Sequence, residues 1–161
     1  MIGREKERKM LEDARDSEYS EFVAVYGRRR VGKTFLVRET FDYSFTFQHS
    51  GLANSGMKKQ LKAFASSLRE AGCELKSTPS DWLEAFDCLK DAIRRSGDAK
   101  KVVFIDEMPW MDTPKSGFVP ALENFWNAWA SARKDVLLIV CGSATSWIIT
   151  KVLRKIGRAH V

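Results

Sequence analysis

Apolar residues fall in short blocks with two different periods. Glu21–Tyr26 (EFVAVY), Val102–Ile105 (VVFI) and Val136–Cys141 (VLLIVC) are nearly continuous apolar runs of strand length, the pattern of strands covered on both faces. Tyr43, Phe45 and Phe47 instead alternate with Ser44, Thr46 and Gln48, which predicts a strand wet on one face, at a sheet edge. Helical spacing governs the rest. Met57, Leu61, Phe64, Ala65 and Leu68 form one stripe that stops at Gly72, and Trp82, Phe86, Leu89 and Ile93 form another between Ser80, a candidate N-cap, and Gly97. Leu122, Phe125, Trp126 and Trp129 make a third stripe, more consistent with core packing than with base stacking. A charged helix is expected from Ile2–Glu5 to about Asp13, a helix over Lys33–Thr40, and a Pro/Gly-interrupted loop over Met108–Gly117. Strands alternating with helices predict an α/β domain with a parallel sheet of about four strands.

The 161 residues, 44% hydrophobic and 30% charged, suit one domain with an ordinary core. Lys and Arg outnumber Asp and Glu by 27 to 21, and the net +6 suits phosphate-bearing partners without requiring any. No apolar run reaches the roughly 20 residues of a membrane span. The opening MIGREKERKM is too charged for a secretory signal, so a cytoplasmic protein is expected. Cys73, Cys88 and Cys141 are far apart in the chain and form no CxxC pair, which supports neither a disulfide framework nor a zinc site. His49 and His160 have no partner at ligand spacing and read as incidental. Lys58–Lys59, Arg94–Arg95 and Lys100–Lys101 read as solvated faces unless the fold brings them to one surface.

The chemistry concentrates at two places. Gly27, Arg28, Arg29, Arg30, Val31, Gly32, Lys33 and Thr34 match GxxxxGK[ST] between a predicted strand and a predicted helix. Glycines there let backbone N–H groups curl round a polyphosphate while the helix N-terminus adds partial positive charge. Lys33 would reach the β- and γ-phosphates, the Thr34 hydroxyl would ligate Mg²⁺, and Phe35 closes the candidate nucleotide-binding set. Arg28, Arg29 and Arg30 face solvent or a partner and carry no catalytic role. The second place is Asp106–Glu107, directly after the buried run VVFI. Adjacent acids at a buried strand end are costly unless a cation or donor meets them, so Asp106 is the candidate Mg²⁺ residue and Glu107 could polarise a water.

Neither NKxD nor DxxG follows the glycine-rich turn, which argues against a GTPase and for ATP. The acid after Asp106 weakens a small-molecule kinase reading, since a kinase gains nothing from activating water. After the fourth strand, Gly142-Ser143-Ala144-Thr145-Ser146 supplies hydroxyls at the same rim. Ser143, with Thr145 second, either bonds the γ-phosphate or nucleophilic water, or caps the helix that follows.

With these residues in place the chain resembles P-loop ATPases of the AAA+/STAND group, and within it the archaeal-type ATPase family. The resemblance rests on Ile2-Gly3-Arg4-Glu5-Lys6-Glu7, VYGRRRVGKT, and FIDEMPW followed by CGSATSW, and covers nearly all of residues 1–154. It implies a three-layer P-loop NTPase core with sheet order 5-1-4-3-2. It also implies Asp106 as the Walker B metal residue, Glu107 as catalytic base, Ser143 as sensor 1, and Gly3 and Arg4 beside the nucleotide. Glu5 fits that box or a locally ion-paired helix start equally well.

Similar proteins continue into a fifth strand, a helical lid and a C-terminal domain, so the expectation is an ATPase core, residues 1–154, truncated after its fourth strand. Residues 155–161 (KIGRAHV) read as a translated sequencing adapter, a non-native tail. Loss of strand five would leave Glu21–Tyr26 on an apolar edge prone to self-association. The expected function is weak ATP binding and slow Mg²⁺-dependent hydrolysis that drives change in a larger protein. The alternatives are a nucleotide-gated switch with little hydrolysis and, behind it, a kinase. Partners beyond ATP would be a second copy, a C-terminal effector domain or DNA.

Overall fold

A computed structural model describes residues 5–26, 32–97, 99–154, 156 and 159–160. Gly3, Arg4, Gly27, Arg28, Arg29, Arg30 and Val31, all assigned above to the nucleotide, lie outside the described residues. Four strands form a parallel sheet: β1 (Glu21–Tyr26), β2 (Phe47–Ser50), β3 (Lys101–Asp106) and β4 (Val136–Gly142). They lie in the order β2-β3-β4-β1, and a two-residue strand, β5 (Ala159–His160), pairs in parallel with Val23 and Ala24 on the outer side of β1. Glu21–Tyr26 is therefore not the sheet edge expected from the sequence. β2 is an edge, as its alternation predicts.

Two cores follow from strand geometry, because successive side chains point to opposite faces. Phe22 and Ala24 join one core with Val103, Ile105, Leu138 and Val140, while Val23 and Val25 join the other with Phe104, Leu137 and Ile139. The first face is covered by α3 (Met57–Glu70), α4 (Trp82–Arg94) and α5 (Phe118–Glu123), the second by α1 (Glu5–Asp16) and α2 (Lys33–Thr40). The result is three layers.

Several boundaries differ from the sequence expectation. α1 runs to Asp16 rather than about Asp13. β2 begins only at Phe47, because Asp42 and Tyr43 both take positive φ (53° and 58°) and turn the chain. Phe45 and Phe47, which strict alternation would put on one face, consequently pack on opposite sides of the sheet. The cap of α4 is Asp81, whose carboxylate accepts from Glu84 N–H at 2.8 Å. Ser80 sits one residue earlier and donates through its N–H and hydroxyl to the Glu84 carboxylate, 2.9 and 2.6 Å. After α5 the chain widens into a π-helical turn at Asn124–Trp129, which leaves Trp129 half-buried at the periphery beneath Arg94 and Arg133. The last helix, α6, starts at Thr145–Trp147 and continues as a π-helical turn to Leu153.

Residues remote in sequence meet in the fold. Cys73 Sγ lies 3.8 Å from the Cys88 carbonyl oxygen, although all three cysteines are free. His49 is not incidental to packing: it is buried between Phe47 and Phe64 with Nδ1 2.8 Å from Ser67 Oγ. Among the described residues no helix is long and apolar enough to cross a membrane, and no cluster of His, Cys, Asp or Glu suits a metal site of three or more such ligands.

Candidate functional site at the strand tips

Parallel strands bring their C-terminal ends to one rim, where open α/β sheets place their ligands. The register aligns Tyr26 with Gly142 and Ser50 with Asp106, and β3 pairs with β4, so the C-terminal ends of the four strands share one rim. α2 enters this rim through Gly32, whose φ of +69° is a left-handed conformation that a side chain would strain. Lys33, the next residue, is buried at 8% exposure. The Thr34 hydroxyl donates to Asp106 Oδ2 at 2.6 Å, and the Glu107 N–H donates to Asp106 Oδ1 at 2.9 Å. Both carboxylate oxygens of this nearly buried acid thus meet neutral donors, which resolves the cost of placing Asp106 at a buried strand end.

Glu107 turns sharply away from β3. Its φ is +52°, uncommon for a residue with a side chain, and it opens a 3₁₀ turn at Met108–Met111 that holds Pro109 in its first positions. Two glycines make room for that turn. A Cβ on Gly51 would lie 2.4 Å from the Glu107 carbonyl oxygen, and one on Gly142 would lie 2.6 Å from Pro109 Cδ. Neither position needs glycine for its φ; both need it for space. The Trp110 indole N–H, three residues on, donates to Glu107 Oε2.

Lys33, Thr34, Phe35, Glu107 and Ser143 line one open cavity of about 730 Å³, together with Gly32, Arg38, Tyr43, Gly51, Ala53 and Trp110. Ser143 does not cap α6: Ala144 occupies that position, and no side chain bonds the helix start. Thr145 is the first residue of α6 and does not line this cavity. Cys141 lies beneath the site, where burial and the nearby Asp106 push its thiol pKa well above the ordinary value, so it stays a neutral thiol. The fold thus assembles the described part of the sequence-predicted set, Gly32 to Phe35 with Asp106, Glu107 and Ser143. Periodicity and motif spacing missed Gly51, Gly142, Trp110 and Gln60. A glycine at the C-terminal end of two strands, at 51 just after β2 and at 142 closing β4, was the available signal.

Two of the basic pairs lie at opposite ends of the sheet. Lys58–Lys59 begin α3 beside this rim, whereas Lys100 and Lys101 sit at the opposite end of the sheet. There Lys100 Nζ donates to the Ser17 and Tyr19 carbonyls at 2.7 Å, and Lys101 is buried.

The sequence model of a family described as an ATPase domain predominantly from Archaea matches residues 1–160. The chain belongs to this family. An uncharacterized protein of Methanocaldococcus jannaschii is 28% identical over 152 residues, which are 94% of this chain and 31% of that protein. Among solved structures, the Walker-type ATPase of Pyrococcus abyssi superposes with a TM-score of 0.58 at 18% identity, over 89% of this chain and 45% of that one. The ORC2 protein of Aeropyrum pernix, solved as ADPNP and ADP complexes, gives 0.63 at 16% identity, over 100% and 48%. These likenesses establish the P-loop ATPase fold, and the chain spans less than half the length of each of these proteins.

Proposed function

We propose that this archaeal-type ATPase domain binds ATP at the strand tips and hydrolyses it with Mg²⁺, Glu107 acting as proton acceptor. One observation carries the reading: Thr34, which lines the same cavity as Lys33 and Glu107, bonds the Asp106 carboxylate through its hydroxyl at 2.6 Å across 72 residues of sequence. A hydroxyl and a carboxylate are hard oxygen donors, the set that suits Mg²⁺ bound jointly by protein and phosphate. Thr34 and Asp106 would hold the ion, which when bound neutralises charge on the β- and γ-phosphate oxygens.

The chain's own groups then divide the work. Lys33 offsets phosphate charge at the start of α2, where the helix N-terminus favours anions. Glu107 accepts a proton from water as the water oxygen bonds to the γ-phosphorus. The bond from that phosphorus to the β–γ bridging oxygen breaks, releasing ADP and inorganic phosphate. Ser143, which lines the same cavity, would donate to a γ-phosphate oxygen. Adenine is favoured by the absence of a guanine-recognition pattern and by the adenine nucleotides bound in the related Aeropyrum structure. Hydrolysis in a longer protein would drive movement of segments beyond this core, in a cytoplasmic setting.

Lys33→Ala should abolish ATP binding in equilibrium titrations, and an unchanged affinity defeats the proposal. Glu107→Gln should retain ATP yet lose turnover by about 10²–10⁴-fold, the range for a general base. Equal turnover in the two proteins would remove Glu107 from the chemistry.

A further inference from the structure

We propose that Trp110 is the positioning residue for Glu107, its indole N–H fixing which carboxylate oxygen faces the reacting water. The inference rests on Glu107 being the proton acceptor. The Trp110 backbone N–H closes the turn on the Glu107 carbonyl at 3.1 Å, which draws residues 107 and 110 together. Glu107 and Trp110 are therefore neighbours through their own backbone. The indole bonds Oε2 of the carboxylate, while its ring lines the cavity and stays 39% exposed. An indole nitrogen donates and never accepts. It can orient the carboxylate without competing for a proton, and it leaves Oε1 as the accepting oxygen.

A second set of contacts holds Trp110 itself. Gln60, on α3, is fully buried. Its Nε2 reaches the carbonyls of Trp110 (3.1 Å), Leu52 (2.7 Å) and Ser55 (3.1 Å), and its Oε1 accepts from Leu52 N–H at 3.1 Å. A buried amide with this many backbone partners is costly to move, because displacement would strand several polar groups at once. Gly51 packs on the Glu107 carbonyl at the start of the same segment. The bond to Glu107 thus hangs from a rigid frame built by α3 and residues 51–55, and anything that shifts that segment shifts the carboxylate.

The test uses the ¹⁵N-labelled chain, whose tryptophans give five indole N–H resonances. Trp110→Phe identifies the Trp110 signal by its disappearance. In Glu107→Gln that signal should move while those of Trp82, Trp126 and Trp129 stay, and an unmoved Trp110 signal overturns the proposal without any assay of activity. Single-turnover hydrolysis, with protein in excess over ATP, then tests the role. Trp110→Phe should slow the chemical step about tenfold, by more than it weakens ATP binding, and should cost nothing further in the chemical step in the Glu107→Gln background. Independent, multiplicative losses would mean that Trp110 does not act through Glu107. Full turnover in Glu107→Gln alone would instead overturn the assignment of Glu107 as proton acceptor.

Discussion

The two ends of the sheet use the same residue types to opposite effect. At the N-terminal end, buried Lys101 meets Asp135 Oδ2 at 2.8 Å, and Arg133 donates to both Asp135 oxygens at 2.9 and 2.8 Å. The Arg133 hydrogen bonds, aided by Lys101, hold the Asp135 carboxyl down to about 2. Ser20 Oγ ties the same corner, donating to the Arg133 carbonyl at 2.7 Å and accepting from Val136 N–H at 3.1 Å. At the C-terminal end, Asp106 accepts from two neutral donors, Glu107 sits at positive φ, and two glycines are required for clearance. One end closes Lys101, Arg133 and Asp135 into an ion-pair network that stabilises the fold. The other keeps an acid, a lysine and a strained turn beside an open cavity, an arrangement whose electrostatics suit an incoming charged ligand.

That contrast breaks most directly by removing one lysine from each end. Lys33→Ala should lower ATP affinity by at least about a hundredfold. Lys101→Met should leave affinity unchanged and lower unfolding free energy by about 3 kcal/mol, since it strands a partly buried carboxylate that only Arg133 then holds. Denaturant unfolding and nucleotide titration of both variants read the difference, and a Lys101 variant that loses ATP would erase the distinction.

Next in size are the clearance glycines. Gly51→Ala and Gly142→Ala each force a Cβ against the Glu107 turn, and each should cost about 3 kcal/mol or displace the turn. Either response should slow hydrolysis in the folded fraction more than it weakens ATP binding. Alanine at Gly72, where no atom lies within 4 Å of the added Cβ but φ is +97°, is the control that strains backbone far from the site.

The smallest expected effect is a titration. Burial lowers His49 from the usual 6.5 to about 4, with Nε2 unpartnered. The neighbouring groups, the Ser67 hydroxyl and the Phe47 and Phe64 rings, do not offset a positive charge. The unfolded chain therefore binds a proton that the folded chain refuses between those two values. Stability should fall as pH drops from 6.5 toward 4, by about 2 kcal/mol at pH 5. Asp135, whose pKa is depressed instead, contributes stability above its usual 3.8 that is lost only as pH falls toward 2. Unfolding curves across pH 4–7 should show the first slope, and His49→Phe should flatten it.

Much of this was legible in the residue order. β1, β3 and β4 read as continuous apolar runs because strands covered on both faces need no polar side. Gly32, Lys33, Thr34, Asp106 and Glu107 were legible as candidates because a GxxxxGK[ST] run after a strand and an acidic pair at a buried strand end stand out in the residue order. The start of β2 was not legible, since the aromatic alternation of Tyr43, Phe45 and Phe47 is identical whether or not Asp42 and Tyr43 reverse the backbone. The burial of His49 and the meeting of Cys73 with Cys88 were hidden as well, because nothing local records which helix lies over which strand.

By itself, then, the sequence determined the α/β class, the order of elements and the residue types at the rim, all of which depend on local periodicity and short-range spacing. Only the tertiary structure decided that Gly51 and Gly142 clear the Glu107 turn, that Gln60 braces Trp110, and that Lys101 closes on Asp135 while Lys33 lines the cavity. Those outcomes depend on distances between segments tens of residues apart, and such distances exist only once the sheet register and the helix packing have formed.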